Sequence, residues 1–293
     1  MTSKAPLRLE RFVKRTGDFT LGPIDLALEP GLVYVLVGAN GSGKSTLLKC
    51  VMNLMKPTSG SVRLFGLSYD EGESPVKRQA AYVPEPLEGC ESFTLEEMGE
   101  LIGGWYDGWD RRDFLGRAGA FRVATNKKYG KLSQGDRKKA ALTLALGTRA
   151  PLLLLDEPTN GLDITSRNRL KQMLAAEAET IERTVLMTTH SVEDIRQFAD
   201  CILLLKDGRL EGPYEKDELF RSWKRLWLSG DSIPAVSDIP GAVEYDDAPY
   251  PQLVTRDAAA TTAYLASAGV AVTGEQPLAA DELLEKLLNG VPG

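Results

Sequence analysis

Hydrophobic positions along the 293-residue chain form two kinds of pattern. The first is short, continuous and rich in leucine and β-branched residues: Leu32–Gly38 (LVYVLVG), the leucines of PLLLLDEP, Thr184–His190 (TVLMTTH) and CILLLKDG from Cys201. Such runs have no polar face, so they predict strands buried on both sides. The second recurs at helical spacing. Leu95, Met98, Leu101 and Ile102 mark one helix, Leu132–Thr148 another opened by Ser133, and Ser166–Arg183 an amphipathic third. A further helix is predicted from Lys44 to about Met55, closed by Pro57 and Gly60 before SVRLFG restarts a strand. Strands alternating with helices predict an α/β domain with a mostly parallel sheet.

At the N-terminus, LRLERFVKR and FTLGPIDLAL read as short strands broken by Gly17, Gly22 and Pro23. Residues 92–150 read as mostly helical. The composition shifts after about Glu215, where RLWLSG, AVEYDD, PQLVTRD and VAVTGE predict strands and Ala258–Ala268 and Ala279–Leu288 predict helices. The expected organisation is a main domain over 1–215 with a helical subdomain at about 90–150, then a small C-terminal α/β appendage over 216–293.

A hydrophobic fraction of 43% and a charged fraction of 26% fit an ordinary globular protein with a large core. No apolar run reaches the roughly 18 residues that would predict a membrane span. The opening MTSKAPLRLERF lacks the apolar core of a secretory signal, so a cytosolic location is expected. Cys50, Cys90 and Cys201 are isolated and form no C-x-x-C pair, which argues against a zinc site or a disulfide framework. The net charge of −6 resides in residues 216–293, which hold 6 Lys and Arg against 12 Asp and Glu. No part shows the basic excess of a nucleic-acid binder.

The strongest chemical signal is Gly38-Ala39-Asn40-Gly41-Ser42-Gly43-Lys44-Ser45-Thr46, which satisfies G-x-x-x-x-G-K-[ST] between a predicted strand and a predicted helix. Its glycines let backbone N–H groups curl inward on phosphate oxygens, and the helix offers its N-terminal dipole to the same anion. Lys44 is placed to reach the β- and γ-phosphates of ATP, and the Ser45 hydroxyl to ligate Mg²⁺. The second signal is the apolar strand ending in Asp156-Glu157-Pro158. A carboxylate at a strand's carboxyl end shares the sheet edge with the phosphate loop. Asp156 can then hold Mg²⁺ and Glu157 can take a proton from an attacking water.

With these two elements in place, the chain resembles the nucleotide-binding subunit of an ATP-binding-cassette (ABC) transporter over roughly residues 5–212. Leu132-Ser133-Gln134-Gly135-Asp136 is similar to the family's LSGGQ signature, Gly161-Leu162-Asp163 to its D-loop, and His190, the chain's single histidine, to its switch histidine. The resemblance implies a P-loop NTPase fold of the ABC cassette type and Mg²⁺-dependent ATP hydrolysis. It also implies a head-to-tail homodimer or heterodimer in which Ser133, Gln134 and Gly135 of one subunit cap the γ-phosphate held by the other. The partner implied is a separate integral permease, with the subunit peripheral on the inner membrane face. A Ser at a helix N-terminus is also an ordinary cap, and Ser133 can serve both roles.

The chain departs from the family pattern at three places. Glu85 in AAYVPEP stands where the Q-loop glutamine is usual, as a variant catalytic residue and Mg²⁺ ligand. Pro84-Glu85 looks like the branch that includes drug, sodium and antibiotic exporters, so export is expected. Gln134 and Asp136 replace Gly and Gln in the signature. Thr16 aligns with the aromatic that stacks on adenine, leaving Phe12 or Phe19 as substitutes and GTP as an open alternative. Trp105, Tyr106 and Trp109 fit either a permease contact or a local core beneath Gly103, Gly104 and Gly108. Rival readings are a soluble ABC protein of translation or DNA repair. The first usually carries two cassettes and a basic linker, the second a long coiled-coil insertion; this chain has one cassette, an acidic tail and no heptad run. A P-loop kinase is opposed by the signature and by Glu157.

Overall fold

In the computed structural model of the chain, which describes residues 4–230, 233–247 and 249–289, β1 (Arg8–Thr16) and β2 (Phe19–Ala27) pair antiparallel. Gly22 does not break β2. At φ 109° it lets the Phe12 carbonyl oxygen approach to 2.1 Å from where a Cβ would stand, so the strand continues through a bulged register.

The fully buried β3 (Val33–Val37) leads through the phosphate loop into α1 (Lys44–Val51). This helix ends at Val51 and not near Met55. Asn53 turns left-handed at φ 56°, and the N–H groups of Leu54 and Met55 both fold back on the Lys49 carbonyl. β4 (Ser59–Leu64), β5 (Leu67–Ser68), α2 (Glu73–Lys77) and β6 (Ala80–Val83) follow. Three helices fill the stretch read as helical: α3 (Leu95–Gly103), α4 (Arg111–Phe121) and α5 (Gln134–Gly147). Each has a side-chain cap on its first turn, Thr94, Asp110 and Ser133 respectively. Then come β7 (Leu152–Leu155), α6 (Ile164–Ile181), β8 (Thr184–Thr189), α7 (Val192–Phe198), β9 (Cys201–Lys206) and β10 (Arg209–Glu215).

The central sheet runs β10-β9-β3-β8-β7-β6, and β9, β3, β8, β7 and β6 pair in parallel. Its register sets Val37 beside Thr189 and Leu155 beside Met187. The residues that follow β3, β7 and β8 therefore emerge side by side at one carboxyl edge: the phosphate loop, Asp156-Glu157 and His190. A second sheet, β2-β1-β4-β5, shares its core with the first, joining Phe12, Leu21 and Ile24 to Leu36, Leu47 and Leu203.

The chain divides into two compact units, Met1–Gly212 and Pro213–Gly293. The second holds α8 (Lys216–Ser222), β11 (Lys224–Ser229), β12 (Ala242–Asp246), β13 (Gln252–Thr255), α9 (Ala258–Ser267), β14 (Ala271–Pro277) and α10 (Ala280–Asn289). Its antiparallel sheet, β12-β13-β11-β14, buries Leu226, Leu228, Leu253 and Leu265. The Arg225 guanidinium ties that sheet to α10 through Glu282 at 2.5 Å.

Candidate functional site

Glycine geometry shapes the phosphate loop. A Cβ on Gly38 would stand 2.4 Å from the Leu205 carbonyl oxygen, and Gly43 caps α1 in the left-handed region at φ 106°. The first turn of α1 has no side-chain cap and no acidic residue, which leaves its N–H groups available to an anion. Lys44 is buried and donates to the carbonyls of Gly38 at 2.7 Å and Ala39 at 3.2 Å. Burial lowers its pKa, against the opposing pull of the Glu157 and Asp156 charges.

The loop opens onto a cleft of about 380 Å³ lined by Thr16, Phe19, Asn40, Gly41, Gly43, Lys44, Ser45, Thr46, Glu85, Asp156 and Glu157. Asp156 is 1% exposed. Its Oδ1 accepts from the Thr188 hydroxyl at 2.7 Å, and that hydroxyl in turn accepts from the Glu157 N–H at 2.9 Å. Thr188 thus aligns both carboxylate positions, and its one trace in the sequence is a pair of threonines inside a buried apolar strand. Glu157 adopts φ 45°, a strained conformation for a non-glycine residue. His190, 65% exposed at its side chain, brings Nδ1 to 3.1 Å from Glu157 Oε2.

The second Asp156 oxygen, Oδ2, is buried without a hydrogen-bond partner among the described residues. An orphaned carboxylate oxygen sharing a cleft with the Ser45 hydroxyl is a hard-oxygen set suited to Mg²⁺. Among the described residues no group of three or more His, Cys, Asp or Glu is arranged to hold a metal by itself. An ion here would need further ligands from water or a bound polyphosphate.

Glu85 lines the same cleft and is ion-paired with Lys138 of α5. Lys138 also donates to the Glu157 carbonyl at 3.1 Å and approaches that of Asp156 at 3.5 Å. Burial pushes its pKa down to about 8 despite the nearby Asp156 and Glu157 charges. Sequence reasoning passed over Lys138 because it sits in the run Arg137-Lys138-Lys139, which reads as a solvated face.

The signature residues form a separate cluster outside the cleft lining. Ser133 accepts from the Asp136 N–H at 3.2 Å and donates its own proton to the Asp136 carboxylate at 2.8 Å. Gln134 and Gly135 occupy the first turn of α5, and a Cβ on Gly135 would stand 2.9 Å from the Gly161 carbonyl oxygen. Lys139 pairs with Asp136 at 2.8 Å and lies 3.9 Å from Asp163, which caps α6 through the Ser166 N–H at 2.7 Å. The Lys139 contact holds the Asp136 carboxyl below its usual range, helped by the Ser133 hydroxyl. Ser42, in the phosphate loop, has a buried hydroxyl with no partner among the described residues.

Of the two aromatics offered for a base, Phe12 is fully buried in the core. Phe19 lines the cleft, with its ring edge 3.2 Å from a Cβ built on Gly43. The aromatic trio divides as well. Trp109 packs into the hollow left by Gly99, Gly103 and Gly147 and against Phe114, ring centroids 4.9 Å apart. Trp105 is 60% exposed and, with Ile102, Tyr106, Leu87 and Tyr82, lines an apolar groove of about 500 Å³.

A glycine-shaped phosphate loop between a buried parallel strand and an uncapped helix, with a carboxylate pair at the neighbouring strand end, defines a P-loop nucleotide-binding protein. The chain belongs to the ABC transporter ATP-binding family. The family model described as ABC transporter matches residues 21–160. The manganese transport system ATP-binding protein MntA of Synechocystis sp. is 32% identical over 209 residues, covering 66% of this chain and 79% of that protein. The ABC transporter ATP-binding protein YtrB of Bacillus subtilis (strain 168) is 28% identical over 216 residues, 74% of each. Among solved structures, the dimeric MJ0796, a bacterial ABC transporter cassette, is 28% identical with a TM-score of 0.62, covering 71% of this chain and 99% of that one.

Proposed function

We propose that the protein binds and hydrolyses Mg·ATP as the energising subunit of an ABC transporter. It works as a dimer on the inner membrane face with a separate integral permease. Residues 1–215 form the ATPase domain and residues 216–293 an acidic accessory domain. The carrying observation is the convergence of Lys44, Ser45, Asp156, Glu157 and His190 at one sheet edge. Mg·ATP hydrolysis by the purified protein, abolished by chelator, tests it; failure to bind any nucleoside triphosphate overturns it.

In this reading Lys44 exchanges the Gly38 and Ala39 carbonyls for the β- and γ-phosphate oxygens. The loop N–H groups and the start of α1 hold the same anion. Ser45 and Asp156 Oδ2 would hold Mg²⁺, which would supply neutralisation of charge developing on the phosphates. Glu157 takes the proton of the attacking water, and His190 fixes its carboxylate. ATP and water leave as ADP and phosphate. Ser133 and Gly135 of the second subunit cap the γ-phosphate, for which Ser133 releases its proton from Asp136. The direction in this reading is export, for which the support is the likeness of Pro84-Glu85 to the exporter branch.

Phe19 is the base-stacking residue in this reading. Phe19→Ala is expected to weaken ATP binding about twofold to tenfold, the worth of one aromatic stack, while leaving affinity for inorganic triphosphate unchanged. Calorimetric titration with both ligands checks this, and an equal loss for the two assigns Phe19 to loop packing instead. The groove beside Trp105 is the permease contact. Trp105→Glu is expected to move the tagged protein from the membrane pellet to the supernatant of its own cells, a loss of about thirtyfold in association if Trp105 is a hot spot. Unchanged sedimentation removes the groove from the interface.

A further inference from the structure

Glu85 adds a negative charge to a cleft that already holds Asp156 and Glu157 and that receives a polyphosphate in the reading above. Three carboxylates facing an anion oppose its binding unless one of them is neutralised. The neutralising group comes from α5. Lys138 is buried, its ammonium is ion-paired with Glu85, and its remaining protons face the backbone carbonyls of Glu157 and Asp156. The flanking basic residues have other work. Arg137 donates to the carbonyls of Tyr129 and Gly130, and Lys139 pairs with Asp136.

We propose that Lys138 is a positioning residue that balances the charge of Glu85 and fastens it to the Asp156-Glu157 turn, so that Glu85 and Lys138 act as one unit at the nucleotide site. The inference rests on the nucleotide-binding reading. Its physical content is a dependence of each residue on the other. A lysine that served only to fill space under the turn would be replaced by methionine without electrostatic consequence, because the two side chains have similar length and burial favours the apolar one. A lysine that neutralises Glu85 leaves an uncompensated, half-buried carboxylate when removed, and the damage is then repaired by removing that carboxylate.

The test is a mutant cycle on the full chain, read by titration with a fluorescent ATP analogue in Mg²⁺ and by thermal unfolding without nucleotide. Lys138→Met is expected to weaken binding at least about tenfold and to lower Tm, as for one broken, partly buried pair. Adding Glu85→Gln to it is expected to bring affinity back to within about threefold of wild type and to recover most of the lost Tm. Lys138→Gln, which keeps a donor for the carbonyls and loses the charge, is expected to behave as Lys138→Met does and serves if the methionine variant does not fold. Wild-type affinity in the single variants, or a double variant as impaired as the single, overturns the inference and leaves the nucleotide reading intact. Absence of nucleotide binding by the wild-type chain overturns both.

Discussion

Replacing Glu157 by glutamine is expected to lower Mg·ATP turnover by roughly 10²- to 10⁴-fold, the range for losing a general base, while nucleotide affinity is retained. The substitution keeps the shape of the side chain and leaves the backbone alone. The left-handed turn at residue 157 and the N–H donated to Thr188 are both preserved. An amide oxygen can still meet His190, and one negative charge fewer beside the phosphates does not weaken binding. What is lost is basicity. ATP then remains intact in the site, and the capped dimer accumulates. Light scattering with and without ATP should show a larger species in the variant. Near-wild-type hydrolysis would sink the assignment. The fallback would be Glu85, which enters the cleft already paired to Lys138 and is the poorer base for it.

The elements of this site differ in how far the chain discloses them. The phosphate loop and the Asp156-Glu157 end of β7 are runs of consecutive residues with a chemical constraint at each position. They were legible, as was the parallel sheet, because strands covered on both faces admit no polar alternation. Thr188 and Lys138 were not, although each touches both the Asp156 and Glu157 positions. Thr188 gains its role from lying beside Asp156 across a strand pairing, and Lys138 from the packing of α5 under the turn. Neither relation leaves a trace in local spacing. The choice between Phe12 and Phe19 shows the same limit. Both are aromatic residues near the same hairpin, and only the bulged register of β1 on β2 turns Phe12 into the core. The end of α1 was misjudged because apolar spacing continues past Asn53, where a single positive φ overrides it. Trp105 and Trp109 were offered one shared fate and received two, since the glycines that accommodate Trp109 come from α3 and from α5, far apart in sequence.

Lys44→Met should separate binding from stability. Burial depresses the Lys44 pKa, so the folded chain holds that proton less tightly than the unfolded chain does. Between the depressed value and the ordinary 10.5 the unfolded chain binds more protons, and stability there rises with pH. Below that window the charged ammonium carries a constant cost to the fold. Methionine removes this cost and keeps the aliphatic stem. The opposing term is the donor lost to the Gly38 and Ala39 carbonyls, of which Ala39 is exposed and can turn to water. The lost donor costs about 1–3 kcal/mol and acts against the relief of the buried charge, so the nucleotide-free Tm is expected to stay within about 3 °C of wild type. Binding has no such compensation. Charged hydrogen bonds to phosphate contribute about 1.5–3 kcal/mol each, and losing them weakens ATP binding by about 100-fold. At an ATP concentration 100 times the wild-type Kd, ligand stabilisation falls from about 2.7 to about 0.4 kcal/mol. The expected result is a melting temperature that ATP raises in the wild type and leaves almost unmoved in the variant. An undiminished ATP-dependent rise would remove Lys44 from the phosphate site, and with it the central contact of the proposed mechanism.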